Sequence, residues 1–149
     1  MKYTQNVLFI VNIINKVLLS LNQKSLFQNK DFKIDKELHF KHWVKIYLEK
    51  DNSISIIFEI SEDGLRIDID RAEELMSFSY KYIFNNSKEV EKCLFMIFTS
   101  TILIQYCGNH LTYLFFIKGK TVQSYKYSTK LWIIDFFKKC KEKIYLPIY

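Results

Sequence analysis

Apolar residues recur along this chain at two different periods, and the switches between them lay out its elements. From residue 4 to 22, Val7, Val11, Ile14, Leu18 and Leu21 recur at three- and four-residue steps. That spacing predicts a helix with one buried face. Residues 23–41 are polar and mixed, and read as a loop with a short ordered piece. The period then becomes two. In HWVKIYLEK (42–50), Val44, Ile46 and Leu48 alternate with Lys45, Tyr47 and Glu49. In SISIIFEI (53–60), Ile54, Ile56, Phe58 and Ile60 face one way; in LRIDID (65–70), Leu65, Ile67 and Ile69 do the same. A turn over Ser61–Gly64 pairs Ile60 with Leu65, Phe58 with Ile67 and Ile56 with Ile69, so six apolar side chains share one sheet face. The same register sets Glu59 opposite Arg66 on the wet face.

Residues 71–75 read as a turn or short helical start, and MSFSYKYIF (76–84) alternates as a strand, with a helix starting near Arg71 as the alternative. Asn86 or Ser87 is placed to cap a helix over about 88–98, with Glu89 and Glu91 suited to its positive end. TILIQYC (101–107), LTYLFFI (111–117) and TVQSYKY (121–127) follow as strands, parted by Gly108-Asn109 and Lys118-Gly119-Lys120 turns. A last helix, capped by Ser128 or Thr129, is predicted through about Lys143, with Pro147 beyond it. The expected fold is α+β in a single domain, residues 1–149. It is an antiparallel meander of six or seven strands with N-terminal, middle and C-terminal helices packed on it.

Composition changes this picture in one place. The chain has 149 residues and a net charge of +6, and its 49% hydrophobic content argues for a packed core rather than disorder. The charge is uneven: residues 1–58 carry +4, residues 75–149 carry +7, and residues 59–74 carry −5. That acidic stretch, EISEDGLRIDIDRAEE, holds Glu59, Glu62, Asp63, Asp68, Asp70, Glu73 and Glu74, together with both arginines of the chain, Arg66 and Arg71.

Three readings of these carboxylates stand side by side. Strand alternation alone puts Asp68 and Asp70 on a solvated face. A cluster of carboxylates is also the donor set for Mg²⁺ or Mn²⁺, but no Lys follows Asp70 as in a common nuclease signature, and no glycine-rich phosphate loop exists. The third reading is a docking surface for a cationic protein, since like charges on a rigid hairpin steer such a partner.

The remaining chemistry is sparse. Cys93, Cys107 and Cys140 are odd in number, far apart and set among apolar residues, so no disulfide is expected and a reducing cytoplasm fits. His39, His42 and His110 lack zinc spacing to any Cys or Asp; no metal site and no cofactor are expected. Lys and Tyr interleave in KTVQSYKYSTK (120–130), the pattern of a single-strand nucleic-acid surface. Arginine, the residue suited to bidentate phosphate contact, is nearly absent, so nucleic acid is the alternative partner only. The first apolar run is interrupted by Asn12, Asn15 and Lys16 and reads as a core helix rather than a leader. Residues 93–117 carry no Asp, Glu, Lys or Arg but are broken at Gly108-Asn109-His110, which suits buried strands better than the alternative of a membrane hairpin.

At FEISEDGLRIDID, QYCGNHLTYLFF and the terminal IYLPIY, the chain resembles the small soluble immunity proteins of bacterial polymorphic toxin systems, in particular those of contact-dependent growth inhibition. The resemblance lies in length, strand-rich layout and an acidic hairpin, over residues 40–149. It implies a non-enzymatic, cytoplasmic protein that binds one cognate toxin domain and occludes its active site. The overall basic charge departs from the acidic character common among immunity proteins against nucleases. Only residues 59–74 would complement a basic toxin surface.

Overall fold

The computed structural model describes residues 2–108, 110–128 and 140–149. It is α+β, with two antiparallel sheets and three helices among the described residues. The chain divides into two compact units, Met1–Phe95 and Met96–Tyr149.

In the first unit, helix α1 (Gln5–Ser20) buries Val7, Ile10, Val11, Ile14, Val17 and Leu18. Five strands follow in sequence order across one sheet: β1 (Phe32–Phe40), β2 (Trp43–Leu48), β3 (Ile56–Ser61), β4 (Gly64–Ile69) and β5 (Ala72–Ser79). The β3–β4 register is the predicted one: Ile56 opposes Ile69, Phe58 opposes Ile67 and Ile60 opposes Leu65. All six side chains are fully buried, and α1 packs against β3 and β4. Val44, Ile46 and Leu48 of β2 and Met76 of β5 extend the same apolar layer.

Two parts of this unit differ from the sequence reading. Residues 32–40 form a strand rather than a loop. Its alternation is hidden by a bulge: Ile34 pairs with Ile46 and His39 with Val44, so the residues between them exceed their partners. Asp35 holds that bulge by accepting from the backbone N–H groups of Glu37 (2.9 Å) and Leu38 (3.2 Å). The second difference lies at residues 71–84. Strand β5 already begins at Ala72 and stops at Ser79, and Tyr80–Asn85 is helix α2, not strand. The Ser79 hydroxyl accepts from Tyr82 N–H and caps it. The alternating aromatics misled because Tyr80 and Phe84 also satisfy a four-residue helical step.

Helix α3 (Ser87–Thr99) begins where predicted, with the Asn86 carbonyl accepting from Glu89 N–H. In the second unit, β6 (Thr101–Cys107), β7 (His110–Ile117), β8 (Lys120–Ser128) and β9 (Lys141–Tyr145) form a sheet in the order β8-β7-β6-β9. Ile102, Ile104, Tyr113 and Phe115 are its buried face. The Phe98 carbonyl accepts from Ile148 and Tyr149 N–H, which ties down the C-terminal residues.

The predicted C-terminal helix falls largely on residues 129–139, outside the described residues. Its expected end, 141–143, is strand β9 instead, with Ile144 opposite Leu103 and Lys141 opposite Tyr106. Counting β1 and β9, nine strands among the described residues replace the expected six or seven.

The cysteine expectation is also corrected. Cys107 and Cys140 are joined as a disulfide, with Cα atoms 4.3 Å apart. They continue the β6–β9 register one step past Tyr106 and Lys141, so strand pairing brings the two sulfurs together across 33 residues of sequence. Cys93 is the free cysteine.

Candidate functional site

Side chains on the strands of the first sheet alternate between the α1-facing layer and an opposite, wet face. Register fixes what meets on the wet face. Lys45, Glu59, Arg66 and Ser77 stand in one row across β2–β5, and Tyr47, Ile57 and Asp68 in the next. Sequence alternation placed Glu59 and Asp68 here correctly, and set Arg66 opposite Glu59.

The seven candidate acids do not form one cluster. They fall into three groups. Glu59, Asp68 and Glu74 belong to the wet face. Glu62 and Asp63 form the β3–β4 turn at one end of the ribbon, and Asp70 and Glu73 lie by the β4–β5 turn at the other. A six-residue strand separates the ends by about 20 Å. Asp70 has φ +55 and donates its N–H to the Ser55 carbonyl (2.9 Å), so it turns off the strand instead of continuing the Asp68 face.

On the wet face the acids are held by the hairpin itself. The Arg66 guanidinium lies 3.0 Å from Glu74 and 3.9 Å from Glu59. Glu59 also accepts from the Trp43 indole N–H (3.0 Å). Asp68 accepts from Glu74 N–H (2.8 Å), where Glu74 sits at φ +48 in the β5 bulge. Asp68 therefore shapes the backbone. With Lys45 and Arg66 set against Glu59, Asp68 and Glu74, the face carries little net field.

The turn is different. Among the described residues the carboxylates of Glu62 and Asp63 have no hydrogen bond or ion pair. Their backbone is fixed firmly: Glu62 N–H donates to His42 O (3.1 Å), Asn6 donates to Glu62 O (3.3 Å), and Tyr80 N–H donates to Asp63 O (2.7 Å). An open groove of about 480 Å³ runs from this turn onto the wet face, lined by His42, Trp43, Glu59, Glu62, Asp63 and Arg66 among others. Trp43 was not singled out by sequence reasoning, and His42 was weighed only as a metal ligand. Trp43 was findable, since the phase that puts Val44 inward puts Trp43 outward beside Glu59.

Neighbouring strand β1 adds a second polar pair. Tyr47 donates its hydroxyl to Asp35 (3.0 Å). The backbone N–H of Glu37, then Tyr47, hold the Asp35 carboxyl below the usual carboxylate range. Desolvation, then the Asp35 carboxylate, push the Tyr47 phenol up.

Among the described residues no group of three or more His, Cys, Asp or Glu converges as metal ligands would. No helix among them is long and apolar enough to cross a membrane. Against known proteins, the chain matches no family model, no curated protein and no solved structure. The site's chemistry is that of a rigid acidic turn beside a groove lined in part by Trp43 and Phe78.

Proposed function

We propose that this chain is a non-enzymatic protein-binding module, an immunity protein that docks its acidic hairpin on a cognate toxin domain and occludes that domain's basic active site. The observation that carries the reading is the Glu62-Asp63 turn. Two carboxylates without partners among the described residues project from a backbone fixed by three hydrogen bonds to separate elements. A backbone fixed in this way leaves only side-chain freedom to be lost on association, and the charge it carries steers a cationic partner.

The partner in this reading is a toxin domain with a basic surface. The wet-face residues Glu59, Asp68 and Glu74 serve mainly to fix the hairpin, with Arg66 as their counter-ion. Asp70 and Glu73 lie too far along the ribbon to share a compact contact with the turn.

Cytoplasmic residence, expected from the cysteine pattern and the family resemblance, conflicts with the Cys107–Cys140 bond, because disulfides persist in oxidising compartments. Thiol titration of freshly purified protein decides between the two.

The test is co-expression with the protein encoded by the adjoining upstream reading frame. A stable complex that abolishes that protein's toxicity supports the reading. Co-expression that leaves toxicity intact, with no complex on gel filtration, refutes it. Salt-sensitive binding of single-stranded nucleic acid by the Lys/Tyr strand β8 would favour the alternative function.

A further inference from the structure

Three rings on α1 and α2 pack on one another beside the acidic turn. Phe9 of α1 lies 5.6 Å from Phe84 and 6.0 Å from Tyr80, ring centre to ring centre, and Tyr80 lies 6.1 Å from Phe84. Tyr82, two residues on from Tyr80 and so on a different face of α2, stacks instead on Phe78 at 5.9 Å. Phe84 is 61% exposed and Tyr82 43% exposed, whereas Ile83 between them is fully buried and anchors the helix. The turn is joined to this cluster by two hydrogen bonds. Tyr80 N–H donates to Asp63 O (2.7 Å), and Asn6, one helical turn before Phe9, donates to Glu62 O (3.3 Å).

Single exposed aromatics are ordinary, but a contiguous group of them is not. These rings restrain one another, so little side-chain freedom remains to be lost when they are covered. Aromatic centres ringed by charge are where binding free energy concentrates.

We propose that the Phe9–Tyr80–Phe84 cluster is the apolar centre of the partner interface, and that Glu62 and Asp63 are its charged rim. The occupant is a protein surface that presents an apolar side chain flanked by lysine or arginine. This rests on the reading that a protein docks at the hairpin, and it moves the centre of contact from the strand face to the turn and α2. Charge selects the occupant. The two carboxylates favour a cationic protein, repel an anionic membrane, and would meet each other unfavourably across a two-fold contact between copies. Lys81 is the one cation of α2 and works against the same partner.

The test uses the intact protein and a short fluorescein-labelled peptide of leucine and lysine, with a leucine–glutamate peptide of equal length as control, followed by anisotropy. The leucine–lysine peptide is expected to bind more tightly. Phe84→Ser should weaken it by about tenfold or more, while Phe84→Leu retains most of the affinity. Glu62→Gln with Asp63→Asn should flatten the salt dependence, and Lys81→Glu should tighten binding. Urea denaturation of each variant separates lost binding from lost folding. Equal binding of both peptides, or binding indifferent to the ring variants, overturns the proposal. So does a concentration-dependent dimer, or adsorption to phosphatidylserine vesicles, that Phe84→Ser abolishes. A complex with the neighbouring reading frame's product that Phe84→Ser leaves intact overturns the ring cluster and spares the protein-binding reading. Peptide binding with the stated dependences but no such complex sustains the surface and removes the immunity reading.

Discussion

A Cβ placed on Gly64 would sit 2.0 Å from the carbonyl oxygen of Phe78 on the neighbouring strand. Gly64 also has φ +150, a conformation L side chains rarely adopt. Sequence reasoning assigned this glycine to a turn; the structure adds that β5 needs its missing side chain. Gly64→Ala should therefore cost about 3 kcal/mol, through steric and backbone strain together. Gly119→Ala is the control: it shares positive φ (+74) but meets nothing within 4 Å, so about 1 kcal/mol is expected. Urea titration of both variants checks the difference, and equal midpoints would remove the Phe78 contact from the account.

The Cys107–Cys140 bond ties edge strand β9 to β6 at one end. Every residue of β9 except Tyr145 is exposed, so little apolar burial holds it there. Closing a loop over a 33-residue separation is worth about 3–4 kcal/mol on chain-entropy grounds. Cys107→Ser should lower stability by about 2–4 kcal/mol and speed amide exchange in 141–145 before it does so in β7. Thiol counting gives an independent check. Unfolded, unreduced protein should show one thiol and reduced protein three. In the folded state Cys93 should react slowly at pH 8, because burial pushes its thiol up to about 11 and leaves little thiolate.

Asp35 gives the fold a pH dependence with a defined sign. Its folded pKa lies below the ordinary 3.8 because the backbone N–H of Glu37 and the Tyr47 hydroxyl favour the carboxylate. The stability it lends is complete above the unfolded value and is lost as pH falls through the lower, folded one. Asp35→Asn should therefore be less stable than the parent at pH 7, and the two should converge as pH drops below about 4. Urea midpoints across that range check it; a constant gap would mean that charge on Asp35 is irrelevant to the bulge.

Much of the first sheet was legible because its chemistry is local. Alternation from Ile54 to Ile69, interrupted only at Ile57 and the turn, favours one register, since a slip of β4 by one residue would turn Leu65, Ile67 and Ile69 into water. The parts that were not legible depend on contacts remote in sequence. Strand β1 is broken by a bulge that only Asp35 and its backbone partners reveal. Helix α2 and a continued strand share the pattern of Met76–Phe84; the outcome depends on the Ser79 cap and the burial of Ile83. The disulfide follows from β9 lying beside β6, which no spacing of cysteines encodes. At the site, composition found the acids, but counting charge could not tell Asp68, bound to a backbone amide, from Asp63, whose carboxylate is unpartnered among the described residues.

That distinction gives the sharpest test of the electrostatic part of the proposal. Asp68→Lys removes the acceptor for Glu74 N–H at a positive-φ position and should cost about 1–2 kcal/mol of stability. Glu62→Lys with Asp63→Lys breaks no ion pair or side-chain hydrogen bond among the described residues, so its effect on stability should stay within about 0.5 kcal/mol. The order reverses for association. The turn pair should slow binding to a cationic toxin domain by about tenfold at low salt, with the difference shrinking as ionic strength approaches 1 M. Asp68→Lys, already balanced by Arg66 and Lys45 nearby, should change the rate less and the dissociation more. Stopped-flow association at several salt concentrations, beside urea titration of the same variants, separates the two effects. If the strand-face variant slows association as much as the turn variant does, the field belongs to the whole hairpin and the turn holds no special place in recognition.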